Sequence, residues 1–222
     1  MNDSKWARYA AIGGVAFVVL NVIGAIIGGS PPATDDPAAK ITEYFTDKGD
    51  ALKAALWLGG LGSVALIWWF GSLWRRMSRA EGGAPRLAVV SLAGLVLGGA
   101  MFLSSASVNA AAALRLDDIG DGTQFFYTLS VVLLSAAGFG LGIHLLATNG
   151  LAYRSKMLPM WLVALGALAG LAFLVSGVIG SSTDGSAAMV VGLIGFVGWS
   201  VWILGVSACM WRWDPTLAGT PA

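Results

Sequence analysis

The chain is poor in the residues that build redox and metal centres. Its 222 residues include one cysteine, Cys209, and one histidine, His144. A single cysteine excludes an internal disulfide and every multi-cysteine metal or redox motif. A single histidine excludes bis-histidine haem ligation and the HExxH zinc signature. We therefore expect no cofactor and no bound metal.

Charged residues are also scarce, at 11% of the chain against about a quarter in soluble proteins. The formal net charge of +1 leaves no basic surface that neutralises nucleic-acid phosphates, so we expect no nucleic-acid partner. No Asp, Glu, Lys or Arg lies deeper than the first turn of any long apolar run. Because ion-coupled carriers usually hold charged groups at that depth, the pattern disfavours a proton-coupled transporter.

Apolar residues dominate instead, at 57% of the chain. They form six runs, each close to or above the roughly 20 residues needed to cross a bilayer. The pattern predicts an all-α, polytopic membrane bundle of six transmembrane helices in a single transmembrane domain, residues 1–222. A secretory signal peptide is the competing interpretation of the first run, but signal h-regions typically have about 7 to 15 residues, which favours a retained helix. The predicted spans are about 8–29, 51–74, 87–112, 124–147, 158–180 and 186–211.

The first outer loop is the longest hydrophilic segment between spans. Asp36 and Pro37 have the residue types of an N-cap and a first helical position. Gly49 is a plausible helix stop, and Asp50 is a plausible cap for the next helix. We predict a short amphipathic helix over residues 37–48, lying at the membrane surface. The alternative is that this segment only closes the loop.

Six spans place both termini on one side, and the basic residues indicate which side. Nine of the 13 Lys and Arg residues lie on the terminal side and four on the other. Because Lys and Arg concentrate in cytoplasmic loops, we predict that the N- and C-termini are cytoplasmic. The nine are Lys5, Arg8, Arg75, Arg76, Arg79, Arg86, Arg154, Lys156 and Arg212, and the four are Lys40, Lys48, Lys53 and Arg115.

Two stretches carry a resemblance to a known family. Residues 67–90 read IWWFGSLWRRMSRAEGGAPRLAVV, and residues 157–170 read MLPMWLVALGALAG. Together with the Pro- and Asp-containing outer loop, they resemble uncharacterised six-helix integral membrane proteins of actinomycete-type bacteria, a domain-of-unknown-function family with no assigned activity. The resemblance covers nearly the whole chain. It implies six helices in a bacterial plasma membrane, but no reaction and no catalytic residues.

The third run, residues 87–112, is rich in small residues that let neighbouring helices approach closely. We therefore expect it near the centre of the bundle. Its small and polar residues share one face at helical spacing. Along this face, the glycines precede the polar side chains of Ser105 and Asn109. This face contains Ser91, Gly94, Gly98, Met101, Ser105, Asn109 and Ala112.

Polar residues in the middle or outer half of four spans form the candidate site. In hydrocarbon such groups need protein partners. One interpretation is structural, with hydroxyls bonding the carbonyl one turn back and asparagines joining helices. The other is a polar-floored pocket in the outer half, capped by the amphipathic helix. The candidate ligand-binding residues are Asn21, Ser105, Asn109, Ser130 and Ser176.

His144 falls about two residues inside the predicted cytoplasmic end of the fourth span. As a titrating group it is a candidate pH sensor or proton relay. The alternative is an interfacial imidazole bonded to a carbonyl or to water. Only Ser91 lies near its level, and no third group is evident to orient the imidazole, so we do not expect a serine protease.

The leading functional prediction is a non-catalytic protein that binds a lipid or small apolar molecule, or assists a partner complex. Its expected partners are membrane lipid, a second copy of the chain or another membrane protein. The alternative is a small oligomeric transporter or exporter of an uncharged or lipophilic solute. An enzyme acting on a lipid is the third and weakest hypothesis. It requires two titratable groups that converge in one cleft, and the sequence offers few.

Overall fold

The computed structural model describes residues 3–180 and 185–212, and no strand occurs within these ranges. The ends of the predicted domain, residues 1–222, therefore lie outside the described residues. A single 3₁₀ turn, Gly120–Gly122, precedes α5. The helices are α1 (Asp3–Gly28), α2 (Ala38–Glu81), α3 (Leu87–Leu114), α4 (Leu116–Ile119), α5 (Thr123–Ser155), α6 (Met160–Ile179) and α7 (Gly185–Trp211).

Six of these helices, all except α4, are long and apolar enough to cross a membrane. This confirms the predicted all-α bundle with six candidate spans. Many large apolar side chains on the outside of the bundle are exposed, among them Ile26, Val64 and Leu168. A bundle that is apolar both inside and outside is suited to lipid, so the chain is a multi-pass membrane protein.

Residues 38–48 are helical, as predicted, but they are not a separate helix, and Pro37 is the N-cap in place of the expected Asp36. Gly49 and Asp50 lie inside α2, whose 44 residues span roughly 66 Å at the α-helical rise. The apolar side chains of the outer segment, Ile41 and Phe45, are buried in a cluster with Tyr127 of α5. Packing of this face against α3 and α5 outweighs the cost of one interior glycine, about 1 kcal/mol.

The predicted fourth span ended too early. We expected a loop from residue 148, but α5 continues to Ser155. Thr148 and Asn149 lie inside the helix and donate hydrogen bonds to the carbonyls of His144 and Leu145, one turn back, at 2.8 Å each. Helices commonly end at a residue in the left-handed conformation, and here Lys156, with φ at 53°, occupies that position.

The small-residue face of α3 packs directly against α5. A Cβ added at Gly98 would lie 2.7 Å from the backbone nitrogen of Leu141, and one added at Gly94 would lie 2.7 Å from the carbonyl oxygen of Gly140. Real Cβ atoms do not come this close to backbone. The two helices therefore touch backbone to backbone, which only glycine permits here.

A carboxylate joins the end of α2 to the start of α3. The helix α2 ends at Glu81, before Gly82 in the left-handed region with φ at 66°. The two carboxylate oxygens of Glu81 accept hydrogen bonds from the backbone N–H groups of Leu87 (2.8 Å) and Ala88 (3.0 Å). These donors have no partner inside α3, so Glu81 caps its N-terminus.

Candidate functional site

Two of the predicted site residues, Ser105 and Ser130, meet at the contact between α3 and α5. The Ser105 hydroxyl donates to the Ser130 carbonyl at 2.7 Å, and the Ser130 hydroxyl donates to the Tyr127 carbonyl at 2.7 Å. Both side chains are buried. Their hydroxyls are thus used within the protein, one across helices and one within its own helix.

The other buried members of the set lie at different helix contacts. The Asn21 amide donates to the Phe17 carbonyl of its own helix at 2.9 Å. Its nitrogen faces Gly62 of α2, where an added Cβ would lie 2.7 Å away. The Ser176 hydroxyl donates to the Ala188 carbonyl of α7 at 2.9 Å. Ser105 and Ser176 thus join helices and Asn21 bonds one turn back, the reverse of the structural interpretation drawn from sequence, whereas Ser130 bonds within its own helix.

Asn109 is partly buried, and its side-chain oxygen is a buried acceptor with no hydrogen-bond partner among the described residues. No hydrogen bond joins Asn109, Asn21 or Ser176 to the Ser105–Ser130 pair within the described ranges. The structure therefore brings together only two of the five residues. A shared pocket formed by all five stays a prediction.

A second polar cluster, centred on His144, lies inside the bundle. His144 is fully buried, and its imidazole meets a carbonyl, as the structural alternative expected. Its Nδ1 lies 2.9 Å from the Ser91 hydroxyl and 3.1 Å from the Ser91 carbonyl oxygen. The Ser91 hydroxyl lies 2.8 Å from that of Thr148, which itself lies 2.8 Å from the His144 carbonyl oxygen.

These four contacts have one consistent assignment of hydrogen atoms. Carbonyl oxygens cannot donate, so Thr148 must donate to the His144 carbonyl, and Nδ1–H must donate to the Ser91 carbonyl. The Ser91 hydroxyl then donates to Thr148 and accepts from the shared Nδ1–H. In any other arrangement, two acceptors would face each other at about 3 Å without a hydrogen between them.

This assignment places the free lone pair of His144 on Nε2, which is buried and has no hydrogen-bond partner in the described part of the chain. Aromatic rings surround the imidazole, with centroids 5.4 Å away for Phe70 and 6.2 Å for Trp202. A nucleophilic serine gives its hydrogen to an imidazole nitrogen. Ser91 instead gives its hydrogen to Thr148, so this pair is not arranged as a nucleophile and its base.

Further hydrogen bonds extend the cluster to α7 and α2. The Trp202 indole donates to the side-chain oxygen of Asn149 at 3.1 Å, and the Trp69 indole donates to the Ser207 hydroxyl at 2.9 Å. Thr148 and Asn149 were not predicted from the sequence, because they fall in a stretch expected to be a loop. Their spacing of four residues from His144 and Leu145 was the available signal that the helix continues.

Two open surface hollows that share Arg154 lie at the end of the bundle predicted to be cytoplasmic. The first, of about 300 Å³, is here called the Arg86 hollow, and the second, of about 470 Å³, the Lys156 hollow. Arg154 lines both. The residues used below are Glu81, Arg86, Leu87, Leu151 and Arg154 for the Arg86 hollow, and Arg154, Lys156, Leu158, Met160 and Val163 for the Lys156 hollow.

The cations of these hollows are available to a ligand. Arg86, Arg154 and Lys156 are exposed, and their side chains form no hydrogen bond or ion pair with any described residue. Glu81 is the one carboxylate among the lining residues, and backbone N–H groups of α3 already occupy its two oxygens. From the sequence we used the three basic residues only for topology. These basic residues lie next to apolar residues at helix ends, and this pattern was the sequence signal for a lipid site that we missed.

The chain matches no protein-family model, no curated protein and no solved structure. The resemblance to six-helix membrane proteins of actinomycete-type bacteria therefore stays a prediction. The candidate sites rest on the geometry alone.

Proposed function

We propose that this multi-pass membrane protein is non-catalytic and binds a membrane lipid in the Lys156 hollow. The observation that supports this most directly is that one hollow combines two unpaired cations with an apolar wall. Arg154 and Lys156 supply the charge, and Leu158, Met160 and Val163 are among the apolar residues. A lipid has the same two parts, a charged headgroup and an acyl chain.

The two cations favour an anionic headgroup. Each Lys or Arg near a membrane surface contributes about 1 kcal/mol to the attraction of anionic lipid. Arg154 adds a planar fork of donors that suits phosphate oxygens. The helix α6 begins next to this hollow at Met160, so an acyl chain of the bound lipid would extend along the exposed face of α6.

The buried polar residues support a non-catalytic role. The hydroxyls of Ser91, Ser105 and Ser176 are each committed to a hydrogen bond inside the bundle. His144, the sole histidine, is fully buried with its Nδ1 bonded to α3. A catalytic acid or base must come within hydrogen-bond reach of its substrate. These groups instead hold helices together.

Native mass spectrometry of the full-length protein, gently extracted from membranes, tests this proposal. We expect one bound phospholipid per chain, and loss of most of it in the double variant Arg154→Gln/Lys156→Gln. Glutamine keeps a long polar side chain but removes the charge. Lys53→Gln/Arg115→Gln is the control for loss of one lysine and one arginine, because both residues lie at the opposite end and pair with Asp50 and Asp118. Equal lipid retention in both variants would contradict the proposed site.

The proposal also includes the predicted location, orientation and partners. We propose that the protein lies in a bacterial plasma membrane with cytoplasmic termini, and that its partner is a second copy or another membrane protein. A small oligomeric transporter stays the alternative prediction. A transporter would produce solute flux across the membrane of vesicles that contain the purified protein. Lipid binding alone would not produce this flux.

A further inference from the structure

We infer that the Lys156 hollow and the Arg86 hollow form one continuous site for a lipid that carries two phosphate groups. This inference rests on the proposed function and specifies its ligand. The two hollows share Arg154, near the end of α5, with Leu151 and Ser155 on one side of it and Ala152 and Lys156 on the other. One cation thus belongs to both hollows, with Arg86 in one and Lys156 in the other.

The charges of the combined site favour a dianionic ligand. Three cations, Arg86, Arg154 and Lys156, and one carboxylate, Glu81, give a net charge of +2. A lipid with one phosphodiester group neutralises half of this charge. A lipid with two such groups neutralises all of it, and each phosphate can lie next to Arg154 and one further cation.

The position of Glu81 fits this arrangement. Its carboxylate binds the first backbone N–H groups of α3, so its charge is held at the positive end of the helix dipole. The neighbouring residue Arg86 is exposed and has no such partner among the described residues. The carboxylate therefore occupies the helix terminus itself and leaves the arginine side chain for a phosphate.

Each hollow also has apolar residues for an acyl chain. Leu87 and Leu151 line the Arg86 hollow, while Leu158, Met160 and Val163 line the Lys156 hollow. A soluble diphosphate has no group that would contact these side chains. The apolar residues thus favour a lipid over a free anion of the same charge.

The test compares lipids bound to the full-length protein by native mass spectrometry. The probes are diphosphatidylglycerol, phosphatidylglycerol and phosphatidylcholine, added at equal concentration to delipidated protein. We expect the two-phosphate lipid to be retained about five-fold more than the one-phosphate lipid, since one further cation is engaged, and phosphatidylcholine least. Arg86→Gln should remove this preference, while Arg154 and Lys156 still retain phosphatidylglycerol. Arg154→Gln should reduce retention of both anionic lipids.

The variants and a soluble competitor separate the possible failures. Arg115→Gln is the control for loss of one positive charge. Wild type and Arg86→Gln are tested with the same lipids, so a difference in the number of acyl chains cannot explain a preference that is lost in the variant. A preference that survives Arg86→Gln would overturn the two-phosphate site. Displacement of the lipid by an equal concentration of inorganic pyrophosphate would also overturn it, because the site would then recognise a soluble anion. Failure to retain any lipid would instead contradict the proposed function.

Discussion

At the scale of single residues, the positions of a few hydrogen atoms define the chemistry of the buried His144 cluster. Two of its four short contacts involve carbonyl oxygens, which can only accept hydrogen bonds. The donor and acceptor of each contact are therefore determined. The imidazole is therefore a donor at Nδ1 and a free base at Nε2. Neither Ser91 nor Thr148 keeps a hydrogen for a ligand.

This assignment predicts the tautomer of His144. ¹⁵N NMR should show a protonated Nδ1 and an unprotonated Nε2. Because His144 is the sole histidine, its signals need no site assignment. Ser91→Ala should leave the tautomer unchanged, since the Ser91 carbonyl still accepts from Nδ1–H at 3.1 Å. A proton on Nε2 in the wild type would contradict the hydrogen-bond directions described here.

A residue-scale prediction concerns Asp36, in the loop between α1 and α2. Its carboxylate accepts hydrogen bonds from the Lys40 ammonium (2.8 Å) and from the Ala33 N–H (2.7 Å). These two bonds, that of Lys40 first, lower the pKa of Asp36 below its ordinary value of 3.8. Since the folded pKa lies below the unfolded value, the ionised carboxylate stabilises the loop above pH 3.8. This contribution is lost as the pH falls through the folded pKa.

The NMR shift of the Ala33 amide proton measures this directly. We expect it to titrate with a midpoint below pH 3.8, and to lose this transition in Asp36→Asn. A midpoint at or above 3.8 would show that the loop hydrogen bonds do not persist in solution.

At the scale of helices, close contact between backbones determines which glycines tolerate a side chain. Gly98 and Gly99 are neighbours in α3, but only Gly98 faces α5. A methyl group at Gly98 meets the backbone of Leu141, whereas nothing lies within 4 Å of one at Gly99. The same substitution should therefore have opposite effects at adjacent positions.

Gly98→Ala should destabilise the protein by about 1 to 3 kcal/mol, the usual cost of overpacking. Gly99→Ala should be neutral or stabilise by up to about 1 kcal/mol, because alanine favours the helix. Thermal unfolding in the same detergent measures both variants. Similar melting temperatures for the two would show that α3 and α5 do not touch at Gly98.

The sequence was sufficient for the number and order of the six spans, because each needs only a long apolar run. It was also sufficient for the buried face of α3, because small residues repeat there at helical spacing. It was not sufficient for α2, since Gly49 and Asp50 resemble a helix end while distant residues such as Tyr127 bury its outer segment. Hydrogen-bond partners were equally inaccessible. Whether Ser105 bonds its own helix or the Ser130 carbonyl depends on which helices are neighbours.

At the scale of the whole molecule, charge asymmetry predicts the orientation in the membrane. Nine Lys and Arg residues lie on the side of the termini and four on the other. We expect a cysteine introduced at Asp118 to react with an impermeant thiol reagent in intact cells, and a cysteine at Gly83 to react only after lysis. Cys209→Ser provides the background for both. The reverse labelling pattern would contradict cytoplasmic termini and move the two basic hollows to the outer face.

We expect a lipid to bind at the basic end of the bundle and not at the polar residues of its other half. Photo-crosslinking with an anionic phospholipid that carries a diazirine near its headgroup tests this most directly. After digestion, we expect the label on peptides that contain residues 152–163, and its loss in Arg154→Gln/Lys156→Gln. Label concentrated near Ser105, Asn109 and Ser130, and unchanged in the double variant, would contradict the account and favour the pocket predicted from sequence.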